Sequence, residues 1–119
     1  MGTHFLFSGF LNREEVEEIF NASDIFVLPS VSEPFGIVCL EAMSCATVPI
    51  ISSRSGVSEI ITNAFKVDFW DVDKVASIIL ELIRDPVKMT ELANKCSDEV
   101  ENLQWDEAAE KILRVFSGL

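Results

Sequence analysis

The chain has 119 residues, about half of them hydrophobic, and a formal net charge of −11. This length suits one domain, 1–119, with enough apolar residues for a core. The acidic balance argues against a nucleic-acid-binding surface, which needs a basic footprint, and against direct contact with an anionic membrane. No apolar run approaches the roughly 20 residues of a membrane-spanning helix.

Cysteine usage indicates a reducing compartment. Cys39, Cys45 and Cys96 lack the spacing of metal ligands, and three is an odd number for a disulfide framework. The start of the chain shows no basic region followed by an apolar core, so no signal peptide is visible. We therefore expect a cytoplasmic protein with no structural metal.

Strands and helices are predicted to alternate from the start of the chain. Residues 4–8 have the pattern of a strand. Asn12 and Glu15 form a capping-box pair at the start of a helix. The exposed face of this helix carries three acidic residues that are predicted to be solvated, Glu14, Glu17 and Glu18. Residues 24–28 form a second apolar strand, which Pro29 ends, and its continuous apolar run is typical of a strand covered on both faces.

A second helix is predicted from Ile37 onward, after the loop that follows Pro29. Residues 48–51 indicate a third strand, although Pro49 weakens this prediction or places the proline at the strand start. A short helix over 57–61 and a weak fourth strand over 65–68 follow.

The remainder is predicted to be helical. Asp71 can cap one helix, whose apolar face is predicted to hold Val72, Val75, Ala76, Ile79 and Ile83. Asp85 and Pro86 supply an N-cap and a first-turn proline for the next helix. A last helix is predicted over 105–116.

The order β-α-β-α-β-α-β, followed by helices, predicts an α/β fold with a parallel sheet of about four strands and flanking helices. Ligands of such sheets bind at the carboxyl ends of the strands. The loops after Leu28 and Ile51 lie at that edge.

Residues 32–43 carry the most informative motif, two carboxylates eight positions apart. Glu33 precedes Pro34, which favours extended backbone in a loop. Gly36 permits a tight turn into the helix, where Glu41 lies on the same side as Ile37. Free backbone N–H groups at the helix start favour an anion between the two acids. The motif therefore predicts a site for a phosphorylated, hydroxyl-rich ligand.

The segment SDIFVLPSVSEPFGIVCLEAMSCATVPIIS, followed by SGVSEII, strongly resembles the carboxyl-terminal half of retaining glycosyltransferases of the GT-B fold. The resemblance is greatest to family 4, the glycosyl transferases group 1, and covers nearly the whole chain. It implies a partial, Rossmann-like donor-binding domain.

The resemblance also assigns roles to residues. Glu33 would be the catalytic residue, meeting hydroxyls of the donor sugar and stabilising the reacting centre. Glu41 would bind the ribose hydroxyls of the nucleotide. The backbone of Phe35, Gly36, Ile37 and Val38 would donate to the sugar and the diphosphate. The resemblance also places two loop residues near the base of the nucleotide, Phe10 and Leu11.

The implied reaction moves a hexose from a UDP- or GDP-sugar to an acceptor with retention at the anomeric carbon. The helix dipole and cationic side chains, rather than a required metal or cofactor, would meet the charge of the leaving group.

Three positions depart from the family's pattern. Ala46 stands where members usually have glycine, Val48-Pro49 where they have Pro-Val, and Val57 where a second glycine is common beside Gly56.

The resemblance also implies missing parts. An N-terminal acceptor domain, two strands and the diphosphate-binding Arg and Lys are not found. The nearest basic residues in loops, Arg13 and Arg54, do not match that motif. We therefore expect a fragment that is inactive alone. We expect its first strand to pair directly with residues 24–28. Otherwise, the open edge of the sheet is expected to pair with another molecule.

Two other classes of function remain. One is a non-catalytic module that acts through protein interaction, which the absent cations favour. A weaker one is another GT-B sugar enzyme, a nucleotide-sugar epimerase or a phosphorylase, against which the EPFGIV motif argues. At the level of single residues, Glu33 can also serve as a loop acid near a helix start, and Glu41 as a surface residue.

Overall fold

The computed structural model of the chain describes residues 8–28, 37–54, 56–68, 70–103 and 110. The elements in chain order are helix α1 (Arg13–Ala22), strand β1 (Ile25–Leu28), helix α2 (Ile37–Ser44), strand β2 (Val48–Ser52), a 3-10 turn (Gly56–Glu59), strand β3 (Phe65–Val67), helix α3 (Val72–Arg84) and helix α4 (Pro86–Glu101). The predicted strand at 4–7, the loop at 29–36 and most of the predicted helix at 105–116 lie outside the described residues. Among the described residues, no helix is both long and apolar enough to cross a membrane.

The three described strands form one parallel sheet in the order β1-β2-β3. Ile25 pairs with Val48 at one end of the β1–β2 ladder, and Ile50 pairs with Phe65 at the start of the β2–β3 ladder. The predicted α/β fold with a parallel sheet and flanking helices is therefore confirmed, and its three later strands lie within two residues of their predicted positions.

Pro49 lies inside the central strand rather than at its start, and the pairing pattern explains why it is tolerated. The Val48 N–H donates to Asp24 O at 3.0 Å, so Val48 points its backbone groups toward β1. Successive residues of a strand point their N–H groups to opposite sides, which turns the nitrogen of Pro49 toward β3. The β3 ladder begins only at Ile50, so the missing N–H of Pro49 leaves no ladder bond unmade.

The hydrophobic core lies between the sheet, α2 and α4. Its buried cluster takes Cys39, Leu40 and Met43 from α2, Ile51 from β2, Val57 from the 3-10 turn, Ile61 from the segment after it, and Cys96 and Val100 from α4. Phe26 and Leu28 of β1 pack against it. The core therefore ties α2, the helix of the paired-acid motif, to the centre of the sheet.

The predicted helix caps are all present. Asn12 accepts a hydrogen bond from the Glu15 N–H while the Glu15 side chain accepts one from the Asn12 N–H, which completes the capping box. Asp71 accepts from the Lys74 N–H at the start of α3. Asp85 ends α3 and also caps α4, accepting from the Lys88 N–H. Local sequence thus sets where these helices begin.

Helix α3 differs from its predicted packing face. Val72, Ala76 and Ile83 are exposed, whereas Leu82, which the predicted face left out, is only 1% exposed. The apolar arc of α3 also includes Ile78 and Leu80, so it is wider than the surface that covers it. The buried face of α3 is centred near Leu82. Part of the apolar arc next to it, which includes Leu80 and Ile83, is exposed.

The turn after α2 explains the requirement for glycine that the family resemblance indicates at position 46. Ala46 has a φ of +58°, in the left-handed region that residues with a Cβ rarely adopt. The Thr47 N–H donates to Ala42 O and the Ala46 N–H to Met43 O, both at 3.0 Å. These two bonds form a Schellman motif with Ala46 at its left-handed position.

We expect Ala46→Gly to raise the free energy of unfolding by about 1 kcal/mol, because glycine adopts this backbone conformation without the Cβ penalty. Urea unfolding followed by circular dichroism measures the change. The control is Ala22→Gly in the last turn of α1, which is expected to lower stability instead. Equal losses in both variants would contradict the strain assigned to Ala46.

Candidate functional site

The paired-acid motif is described only from α2 onward. Glu33, Phe35 and Gly36 lie outside the described residues, so their predicted roles stay predictions. Ile37 begins α2, as predicted, which places the helix start directly after the loop that carries Glu33.

Helix α2 divides into a buried and an open face. Cys39, Ala42 and Met43 have no exposed surface, and Cys39 and Met43 belong to the core cluster formed with β2 and α4. The opposite face carries Val38, which is 43% exposed, and Glu41, which is half-buried. Glu41 therefore avoids the core and faces a place that a ligand can reach.

Glu41 opens onto a cavity between α1 and α2, the α1–α2 groove. Its volume is about 210 Å³, and its lining residues are Arg13, Glu17 and Phe20 of α1 with Glu41, Ser44 and Cys45 of α2. Sequence reasoning missed two of them. Glu17 was predicted to be solvated and is exposed, but its place beside the cavity was not predicted. Arg13 was placed in a loop, whereas it is the first residue of α1. Arg13 and Glu17 are four residues apart, which predicts that they share one face of α1. This spacing indicates a groove only when the position of the neighbouring helix is known.

The charged side chains of the groove keep their hydrogen-bonding capacity. Within the described part of the chain, the side chains of Arg13, Glu17 and Glu41 make no hydrogen bond or ion pair. Ser44 is different, since its hydroxyl donates to Glu41 O at 2.7 Å. The groove therefore offers one guanidinium and two carboxylates to a ligand, with a formal charge of −1, which suits a neutral ligand rich in N–H and O–H donors.

The two residues predicted to approach a nucleobase lie just before α1. Gly9 has a φ of +69°, a turn conformation that favours glycine. Phe10 is fully exposed and Leu11 is partly buried. Asn12, the N-cap of α1, follows directly, so this loop leads into the helix that supplies Arg13 to the groove.

The other basic residue near a strand end, Arg54, is engaged elsewhere. It lies in the turn after β2, with its guanidinium carbon 5.6 Å from the centroid of the Trp70 ring. The same turn is tied to the end of β3, because the Ser53 N–H donates to Val67 O at 2.8 Å. Arg54 is thus held at the carboxyl edge of the sheet by an aromatic contact.

A second, more open cavity, of about 450 Å³, lies beside α4 and is lined by Asn63, Lys95, Asp98, Glu99 and Asn102. Here the central carboxylate is already used. Glu99 accepts hydrogen bonds from the Thr62 N–H at 2.6 Å and from both the N–H and the side-chain amide of Asn63 at 2.9 Å. This cavity is therefore built around a structural contact that fixes the segment before β3.

Neither buried thiol is suited to nucleophilic chemistry. Burial, with the neighbouring Cys96 and Glu99, raises the pKa of the Cys39 thiol to about 12. Burial and Glu99 likewise raise the pKa of Cys96 to about 11. Both stay protonated at neutral pH, when a nucleophile must be a thiolate. Among the described residues, no group of three or more metal-ligating side chains occurs.

Comparison with known proteins places this geometry in a family. The sequence pattern of the family described as "Glycosyl transferases group 1" matches residues 1–103. An uncharacterized glycosyltransferase of Methanocaldococcus jannaschii is 33% identical over 115 residues, which cover 93% of this chain and 30% of that protein. The alpha-maltose-1-phosphate synthase of Mycolicibacterium smegmatis is 31% identical over 119 residues, covering 89% of this chain and 30% of the synthase.

A solved structure agrees with these sequence relatives. The sucrose-phosphate synthase from Thermosynechococcus elongatus superposes with a TM-score of 0.77 and 26% sequence identity, covering 95% of this chain and 29% of that one. The chain thus spans less than a third of the length of each of these three proteins.

Proposed function

Because this chain belongs to the glycosyl transferases group 1 family, we propose that it forms the donor-binding part of a retaining glycosyltransferase. The family of the chain and its GT-B-like fold support a sugar-transfer module. The finer proposal is that it binds a nucleotide-diphospho-sugar, from which a hexose moves to an acceptor. The acceptor site would belong to a separate N-terminal domain, so we expect no transfer by these 119 residues alone.

The observation that carries the proposal is the position of Glu41. Its carboxylate is half-buried, borders a cavity and has no hydrogen-bonding partner among the described residues. A carboxylate with open acceptor positions matches the paired hydroxyls of a ribose. Its helix is fixed to the central strand through the core, so the backbone that carries Glu41 is in place before the ligand arrives.

The start of α2 supports the placement of the diphosphate. The first N–H groups of a helix have no intrahelical partner, and the helix dipole adds positive potential there. A nucleotide whose ribose is held by Glu41, one turn into α2, can extend its phosphates toward Ile37. Glu33, which precedes this helix in sequence, would then meet the transferred sugar and stabilise the reacting centre. No metal is required in this proposal, since main-chain N–H groups meet the phosphate charge.

Titration calorimetry of the chain with UDP- and GDP-sugars tests the proposal. We expect Glu41→Ala to weaken donor binding by about 10- to 100-fold, since a hydrogen bond to a charged group contributes about 1.5–3 kcal/mol. Glu18→Ala is the matched control, because Glu18 is an exposed acid of α1 that does not line the groove. It should bind donor as the wild type does.

Two outcomes would overturn the proposal. Unchanged affinity in Glu41→Ala would remove the ribose role. Absence of binding at millimolar donor would favour a non-catalytic module that acts through protein interaction.

A further inference from the structure

We propose that the α1–α2 groove is a nucleobase subsite that selects guanine, with Glu17 accepting from the N1–H and N2–H₂ groups of the base and Arg13 donating to O6 and N7. The inference rests on the proposed donor function, because it takes Glu41 as the ribose ligand.

The position of the groove leads from ribose to base. In a nucleotide the base is bonded to the ribose, so a base must lie beside any ribose held by Glu41. The residues that line the same cavity as Glu41 and carry open polar groups are Arg13 and Glu17. They lie four positions apart on α1 and therefore project from the same side of that helix.

The volume limits what enters the groove. About 210 Å³ is smaller than the 300–1,000 Å³ of sites that enclose a drug-sized ligand. It is therefore large enough for part of a nucleotide-sugar but not for all of it. With base and ribose in the groove, the diphosphate and sugar lie outside it, toward the start of α2.

Charge decides which part of the donor enters. Two carboxylates against one guanidinium give the groove a formal charge of −1, which repels a diphosphate. A second carboxylate beside the ribose ligand favours a group that presents N–H or O–H donors, and the hydroxyls of the transferred sugar are already assigned to Glu33 in the proposed function. Nucleobases present such donors, whereas the phosphates do not.

Among the bases, guanine fits an Arg and a Glu on one helix face best. Its Watson–Crick edge presents two adjacent N–H donors, which one carboxylate can accept together, and its O6 and N7 form a paired acceptor for a guanidinium. Uracil presents one N–H between two carbonyl oxygens, which would face the carboxylate unfavourably. Adenine presents a single amino group, so it leaves one carboxylate oxygen unpaired.

Calorimetric titration of the full chain with GDP, UDP and ADP tests the selection. We expect GDP to bind at least about tenfold more tightly than UDP or ADP, as one good bidentate pair discriminates by about 5- to 150-fold. Glu17→Gln should weaken GDP about tenfold, because an amide presents an N–H₂ to the donors of guanine, and should change UDP by less than about twofold. Glu14→Gln, an exposed acid of α1 outside the groove, is the matched control and should leave all three affinities unchanged.

The outcomes separate this inference from the donor function. UDP or ADP binding as tightly as GDP, with Glu41→Ala still weakening it, would overturn guanine selection and leave the donor function standing. Equal effects of Glu17→Gln and Glu14→Gln would also overturn the role of Glu17. No binding of any of the three nucleotides at millimolar concentration would overturn both proposals.

Discussion

Replacing Ile51 with alanine should lower the free energy of unfolding by about 2–5 kcal/mol. Ile51 has no exposed surface and lies on the central strand, in the cluster formed with α2, the 3-10 segment and α4. Alanine removes the transfer free energy of three carbon atoms and leaves a cavity that the surrounding elements fill only in part. Small domains are stable by about 5–15 kcal/mol, so this loss is a large share of the total.

Ile83→Ala supplies the matched control, since it makes the same chemical change at a side chain that is 58% exposed. We expect a change within about 0.5 kcal/mol, as for surface substitutions in general. Urea unfolding of both variants measures the two values. A cost below 1 kcal/mol at Ile51, or similar costs at both positions, would contradict the assignment of the core.

Stability should also fall steeply above pH 9 because of the two buried thiols. An unperturbed thiol has a pKa of 9.0, whereas burial raises the pKa of Cys39 to about 12 and that of Cys96 to about 11. Between these limits the folded chain keeps protons that the unfolded chain releases. The free energy of unfolding is therefore at its full value below pH 9 and decreases as pH rises toward 11–12, by up to about 1.4 kcal/mol per pH unit for each thiol.

The composition of the chain makes this effect measurable. There is no tyrosine, whose ionisation would overlap that of the thiols. The hydrogen bond from Lys88 to Glu81 raises the pKa of Lys88 and acts in the same direction, but it is unchanged in thiol variants. The double variant Cys39→Ala/Cys96→Ala should therefore show a shallower loss between pH 9 and 11, whatever its stability at pH 7. A slope equal to that of the wild type would exclude the thiols as its cause.

Features of the fold that depend on neighbouring residues could be predicted from the sequence. The capping box of Asn12 and Glu15 and the caps at Asp71 and Asp85 are local hydrogen-bonding patterns, and all are present. The apolar strands β1 and β2 were likewise recognisable from composition. Pro49 was the exception, because its tolerance inside β2 depends on where the β3 ladder begins.

The packing of α3 shows what periodicity does not determine. An apolar pattern locates the arc of a helix that avoids water, but the width of the arc need not equal the width of the contact. Leu82 is buried and Ile83 is exposed, although they are adjacent and equally apolar. Only the positions of the neighbouring elements decide between them.

In the candidate site, too, the local motif could be predicted from the sequence, whereas the contacts between helices could not. Glu41 was predicted as a ligand residue because it lies within a recognisable motif; the structure places it half-buried on α2, and its ligand role stays a prediction. The place of Glu17 beside the groove was not predicted, because an acid on a polar helix face has the sequence pattern of a solvated residue. Its proximity to Glu41 results from the packing of α1 against α2, a tertiary contact that neither helix specifies alone.

The order of the sheet has a consequence for how the chain folds. Among the described strands, β2 pairs with β1 and β3 pairs with β2, so the strands that pair are consecutive in this part of the sequence. The connections between paired strands span residues 29–47 and 53–64, so the entropy lost in closing each loop is modest. Such local topology favours rapid folding for a parallel sheet, and β2 can dock as soon as α2 covers β1. We therefore expect α2 and β2 to be structured in the folding transition state, with high φ-values at Met43 and Ile51, and β3 to join later.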